Sequence, residues 1–138
     1  MSQLFVNESD EIVVNIVVAK GKNGEIFADA SEELLMQDSA DVIDENAPME
    51  HYEAKFRRMT FRDSINISRD IFSTADNQSV DFNPLMLRFR KIVALIKDWS
   101  FVDKNGVKIE PTEENIAKLH PTIANAIGTQ LDIQTVTL

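Results

Sequence analysis

EIVVNIVVAKGKNGEIF, residues 11–27, is the stretch that decides the fold. Ile12, Val14, Ile16 and Val18 alternate with Val13, Asn15 and Val17, and in an extended chain successive side chains point to opposite faces. Both faces of this segment are apolar, which predicts a strand covered on both sides. The run KGKNG that ends it is turn chemistry, because Asn and Gly tolerate positive φ, and Glu25, Ile26 and Phe27 supply a returning strand. The chain therefore opens on a β-hairpin.

Outward from the hairpin, EELLMQDSADVIDENAPME at residues 32–50 holds nine carboxylates or amides around the apolar anchors Leu34, Leu35, Met36, Val42 and Ile43. This composition predicts a short helix after Ser31 and then an irregular acidic loop, with the charge run forming a solvated face. Tyr52, Ala54 and Phe56 alternate with Glu53, Lys55 and Arg57, a half-buried strand pattern. There the period changes. Thr60 is placed to cap a helix with Asp63 in its first turn, and Phe61, Ile65, Ser68 and Phe72 recur at helical spacing. They predict an amphipathic helix with that stripe as its apolar face.

Asp76, Asn77, Gln78 and Ser79 break the pattern, and Asn83-Pro84 restarts it as a cap followed by proline in the first turn. Leu85, Phe89, Ile92, Ile96 and Trp99 then fall at steps of four, three, four and three, which predicts a helical stripe reaching Trp99, with Arg90, Lys91 and Lys97 on other faces. Phe101 and Val102 enter the turn DKNG and Val107 and Ile109 leave it, so Asn105-Gly106 predicts a short hairpin. Thr112 caps the next helix, with Glu113 and Glu114 beside its positive end and Ile116 and Leu119 inward. Pro121 pushes His120 out of helical dihedrals and separates a last helix carrying Ile123, Ile127 and Leu131. Residues 132–138 read as extended or frayed. The fold class is α+β: one domain over residues 1–138, mainly strands with an acidic loop at 29–50 up to residue 58, and a helical module with one short hairpin over 59–138.

A chain of 138 residues is the size of one domain, and 43% apolar with 27% charged residues is ordinary for a folded one. There is no cysteine, which excludes a disulfide scaffold and thiolate metal sites. The N-terminal residues lack the basic and apolar regions of a secretory signal, and no apolar stretch approaches the ~20 residues of a membrane-spanning helix. A cytoplasmic protein is expected. The net charge of −9 is uneven: residues 1–53 hold thirteen Asp or Glu against two Lys, and residues 54–138 hold ten against twelve Lys or Arg. A negative chain is repelled by phosphate, so neither nucleic acid nor an anionic membrane is an expected partner.

The inventory for catalysis is thin. The two histidines, His51 and His120, stand apart, and HExxH, GxSxG, a phosphate-binding glycine loop and an EF-hand ladder are all missing. No catalytic, cofactor-binding or metal-binding residue is expected; Asp41, Asp44, Glu45 and Glu50 match no known cation-ligand spacing. The basic run Arg57, Arg58, Arg62, Arg69, Arg88, Arg90, Lys91 and Lys97 is more economically read as a complement to the acidic half, within one chain or between copies. On this reading the acidic segment 29–53 of one copy meets the Arg57-to-Arg69 region of another, and Arg62 and Arg69 join Leu34, Leu35 and Met36 as candidate partner-binding residues. An acidic inhibitor that mimics DNA is an alternative.

IVALIKDWSFVDKNGVKIEPTEENIAKLHPTIANAI, residues 92–127, resembles the C-terminal part of the tail assembly chaperones of long-tailed bacteriophages. There an apolar helix ends in Trp, an Asp-x-x-Gly turn follows, Pro-Thr-x-Glu opens a helix ending in Leu, and a final helix starts at proline. The matching positions here are Trp99, Asp103, Gly106, Pro111, Thr112, Glu114, Leu119 and Pro121, all structural. FRRMTFRD, residues 56–63, is similar to the strand-to-helix entry of the same proteins. The N-terminal hairpin and acidic segment lie outside the resemblance. It implies a non-catalytic protein, without cofactor, that binds tape-measure or tail-tube protein during tail assembly in the host cell cytoplasm. The rival is a small structural component of the phage virion, in head, neck or tail; in either case self-association into a homo-oligomer is possible.

Overall fold

The structure is a computed structural model and describes residues 4–7, 9–72 and 83–136. Its element order is β1 (Glu11–Lys20), β2 (Ile26–Asp29), α1 (Glu32–Ser39), β3 (Glu50–Arg57), α2 (Phe61–Phe72), α3 (Pro84–Leu95), β4 (Ile96–Trp99), α4 (Glu113–Ala117) and α5 (Pro121–Val136). This is α+β, with an antiparallel four-stranded sheet in the order β2-β1-β3-β4. The break expected at residues 76–79, the side chain of Phe72 and the last two residues lie outside what is described.

The opening hairpin forms as expected. Lys20 pairs with Ile26, Gly21 N–H donates to Glu25 O, and Gly24 takes φ 87° in the turn. The strand is covered on both sides only in its second half. Ile12, Val14, Ile16 and Val18 lie in the main core with Ala54 and Phe56 of β3, Ile92 and Leu95 of α3, and Ile127 and Leu131 of α5. On the opposite face Val17 and Ala19 are buried under Leu35 of α1 and Ile43, whereas Val13 and Asn15 are exposed. Alternation alone could not show that a helix of eight residues covers only one end of the strand.

Two expectations are corrected. The helical stripe does not reach Trp99: at Ile96 the backbone turns extended (φ −63°, ψ 133°) and residues 96–99 pair with β3, Trp99 opposite Ala54. Without β4 that side of β3 would be an unpaired edge, and its backbone groups recruit the segment. Inward placement of Ile96 and Trp99 suits a helix or a strand alike, so the steps of three and four were misleading there. Residues 132–136 are likewise helical, as the last turns of α5. Thr135 Oγ1 donates to Leu131 O and accepts from Lys91, and Gln134 Nε2 donates to Val13 O at 2.9 Å, so tertiary bonds hold the turn that the sequence reads as frayed.

The residues named as structural fall into place. Trp99 is 4% exposed, packs edge-on against Phe101 and donates its indole N–H to Ile109 O. Gly106 takes φ 78° in a turn whose Asp103 carboxylate accepts from the N–H groups of Asn105 and Val107; the hairpin is reduced to one bridge, Val102 with Lys108. Thr112 Oγ1 accepts from Asn115 N at 3.1 Å and caps α4, and Pro121 is the first residue of α5.

Candidate interaction surfaces

The entry to α2 is fixed by a polar network. Arg57, at the end of β3, grips Asp63 with both guanidinium nitrogens, at 2.7 Å from Nη2 to Oδ1, and its Nη2 also donates to Ala94 O of α3. Thr60 N–H and Oγ1–H donate to Asp63 Oδ2, and Asp63 N–H donates back to Thr60 Oγ1 at 3.2 Å. This is a reciprocal capping box with Asp in the place of Glu. The Arg57 hydrogen bond, reinforced by the Thr60 donors against the opposing effect of burial, holds the Asp63 carboxyl down at about 2.

The network sets the rotational phase of α2 and overturns the expected one. Asp63 and Ile67 face inward. Phe61 lies roughly 200° around the helix from Asp63 and is 83% exposed, and Ile65 is 50% exposed. The stripe read as the buried face of α2 is therefore at the surface at these two positions. Arg62 and Arg69 are exposed on one flank of it, and Arg69 Nη2 donates to Asn66 Oδ1 of its own helix. Leu85, expected to start the buried stripe of α3, is 65% exposed.

Behind Ser68 on the other flank, a groove of about 470 Å³ runs between α2, α3 and α5. Met59, Ile67 and Leu87 give it an apolar wall. Arg88 and Lys91 line it with Asp132, to which Lys91 Nζ donates at 3.0 Å. Arg88 lies so close over Gly128 that a β-carbon there would stand 2.1 Å from its Cδ. Sequence reasoning did not single out Gly128, Met59 or Leu87, because the closeness of α3 to α5 is a tertiary fact.

The acidic surface is at the other end of the β1–β3 ladder. Ser31 Oγ caps α1 by accepting from Leu34 N. Leu35, named as a candidate partner contact, is 3% exposed and belongs to the core beneath α1, which leaves Leu34 and Met36 at the surface. Glu32 meets His51 at 3.3 Å, while Glu33, Asp38 and Asp41 are exposed and enter no ion pair among the described residues. No protein-family model, curated protein or solved structure matches this chain. What the surfaces do must be argued from their chemistry.

Charge pairing is largely local to each half. Arg88 and Lys91 meet Asp132, Arg90 meets Glu113, Lys108 meets Asp98 and Lys118 meets Glu114. Lys97 with Glu11, and Lys55 with the neighbouring Glu53, draw on the acidic half. These contacts neutralise part of the acidic half inside one chain, one of the two readings of the basic run. The acidic loop shows no group of three or more His, Cys, Asp or Glu that could hold a metal, again among the described residues. No helix there is long and apolar enough to cross a membrane.

Proposed function

We propose that this chain is a non-catalytic protein-binding protein that works as a phage tail assembly chaperone, shielding apolar helical surface of a tape-measure or tail-tube protein until the tube closes around it. The observation that carries the reading is the outward stripe of α2. Phe61 and Ile65 stand in solvent between Arg62 and Arg69 on one flank and a groove with an apolar wall on the other. Exposed apolar surface with a charged rim is the physical requirement of such a holder, and the Arg57–Asp63–Thr60 cap turns it outward. The resemblance of residues 56–63 and 92–127 to the chaperone family supports the same reading, and residues 56–63 include the cap.

The test is co-expression of the chain with the tape-measure and tail-tube proteins of its phage, together with mass spectrometry of purified particles. A complex that holds the partner soluble and is lost in Phe61→Ser, with the chain missing from particles, is expected. Fixed copy number in particles would instead establish the virion-component reading. Competition with DNA for a DNA-binding enzyme would establish the acidic inhibitor.

A further inference from the structure

We infer that the acidic helix α1 of one copy docks on the basic, apolar face of α2 of a second copy, so that the protein self-associates. This goes beyond the chaperone reading and does not rest on it. The two surfaces are complementary in both chemistries. On α2, Phe61 and Ile65 are exposed beside Arg62 and Arg69; on α1, exposed Leu34 stands one turn from Asp38 on one flank, and exposed Met36 one turn from Glu33 on the other. Arg57 is taken out of the set, because it is committed to Asp63 and Ala94, whereas Arg62 has no salt-bridge partner among the described residues.

The two surfaces cannot meet within one chain. α1 packs on β1 and β2 where Val17 and Ala19 are buried, and α2 begins just beyond Arg57, which pairs with Glu11 at the opposite end of β1. Eight residue pairs of ladder separate these ends, roughly 20 Å at the rise of a strand. Each copy thus offers one face of each kind, toward opposite ends of the ladder. Such a contact can repeat from copy to copy into a ring or chain, or close reciprocally about a two-fold axis.

Net charge of −9 repels like copies at long range. Attraction must therefore come from local complementarity, felt within the screening length of ~8 Å at physiological ionic strength. Apolar contact of Phe61 and Ile65 with the exposed apolar side chain on the α1 flank that meets them supplies salt-independent affinity.

Sedimentation velocity of the purified full chain tests this without any tail protein, so its failure is distinct from that of the chaperone reading. Wild type is expected to associate with rising concentration. R62E/R69E places acid against acid and E33K/D38K places base against base, so each alone is expected to lose association about tenfold or more. An equal mixture of the two restores opposite charge at both faces and is expected to recover it. Phe61→Ser should weaken association at every salt concentration. All four positions substituted by charge are exposed, and circular dichroism checks that each variant remains folded. A monomeric wild type, a reversal variant that associates like wild type, or folded variants whose mixture stays monomeric would each overturn the inference.

Discussion

Asp63→Asn isolates the cap that gives α2 its phase. The Asp63 carboxyl is held at about 2, against an ordinary 3.8, with Arg57 as the principal cause. Because the folded value is depressed, the folded state binds this proton less readily than the unfolded state. The contribution is therefore fully present above the unfolded value and is lost as pH falls through the folded one. A depression from 3.8 to about 2 corresponds to about 2 kcal/mol at neutral pH, reasonable for a side chain that is 11% exposed and gripped by two nitrogens. Asparagine keeps the shape and one acceptor but loses the charge opposite Arg57. For a chain of this size about 2 kcal/mol lowers the thermal midpoint by roughly 7 °C.

The assay is urea unfolding of wild type and D63N from pH 7 down to pH 2. Other carboxylates are common to both proteins, so they cancel to first order in the difference. That difference should be about 2 kcal/mol at pH 7, begin to shrink below about pH 5, and approach zero near pH 2. A difference that is constant with pH, or no difference at pH 7, would refute the account of the cap.

Trp99→Ala should cost about 3–5 kcal/mol in urea unfolding, as for a large aromatic removed from a core; an unchanged midpoint would mean that the ring is not anchored between β4 and Ile109. Gly128→Ala should displace Arg88 from Asn125 and Asp132, since the added carbon meets its Cγ and Cδ at 2.5 and 2.1 Å, at a cost of about 1–3 kcal/mol. A variant as stable as wild type would show that Arg88 moves aside freely. Tyr52 is the only tyrosine, and burial followed by the hydrogen bond and charge of Glu50 pushes it up to about 12. Phenolate absorbance should therefore rise well above the ordinary pH 10, and the stability tied to the neutral phenol should be lost as pH rises toward 12. Ionisation at pH 10 in the folded protein would contradict it.

The hairpin, the Thr112 cap, the Gly106 turn and the inward side of α5 are legible because each depends on residues within a few positions of one another. β4 is not legible. Residues 96–99 carry a helical period and become a strand only because β3 has an unpaired edge beside them. The burial of Leu35 was hidden for a related reason: LLM gives three adjacent apolar residues, and only the position of α1 over Val17 and Ala19 selects the inward one. Charge alone marks Arg62 and Arg69 as candidates, whereas helical spacing assigns their apolar neighbours Phe61 and Ile65 to the core and the structure exposes them.

That misplacement is informative in itself. In α2 the apolar spacing asks for Phe61 and Ile65 inward, while the reciprocal bonds of Thr60, Asp63 and Arg57 ask for Asp63 and Ile67 inward, and both demands cannot be met by one helix. Burying Phe61 and Ile65 would gain about 2 kcal/mol for each side chain. It would also swing Asp63 away and leave the Arg57 guanidinium beside Ala94 without its counter-ion, and breaking a part-buried charge pair costs a comparable or larger amount. The polar network wins, and the loser is left as exposed apolar surface. Such conflict between local pattern and tertiary arrangement is expected where function rather than stability selects the residues. α2 is where this chain shows it most sharply, which is the physical ground for the proposal that α2 takes part in partner binding.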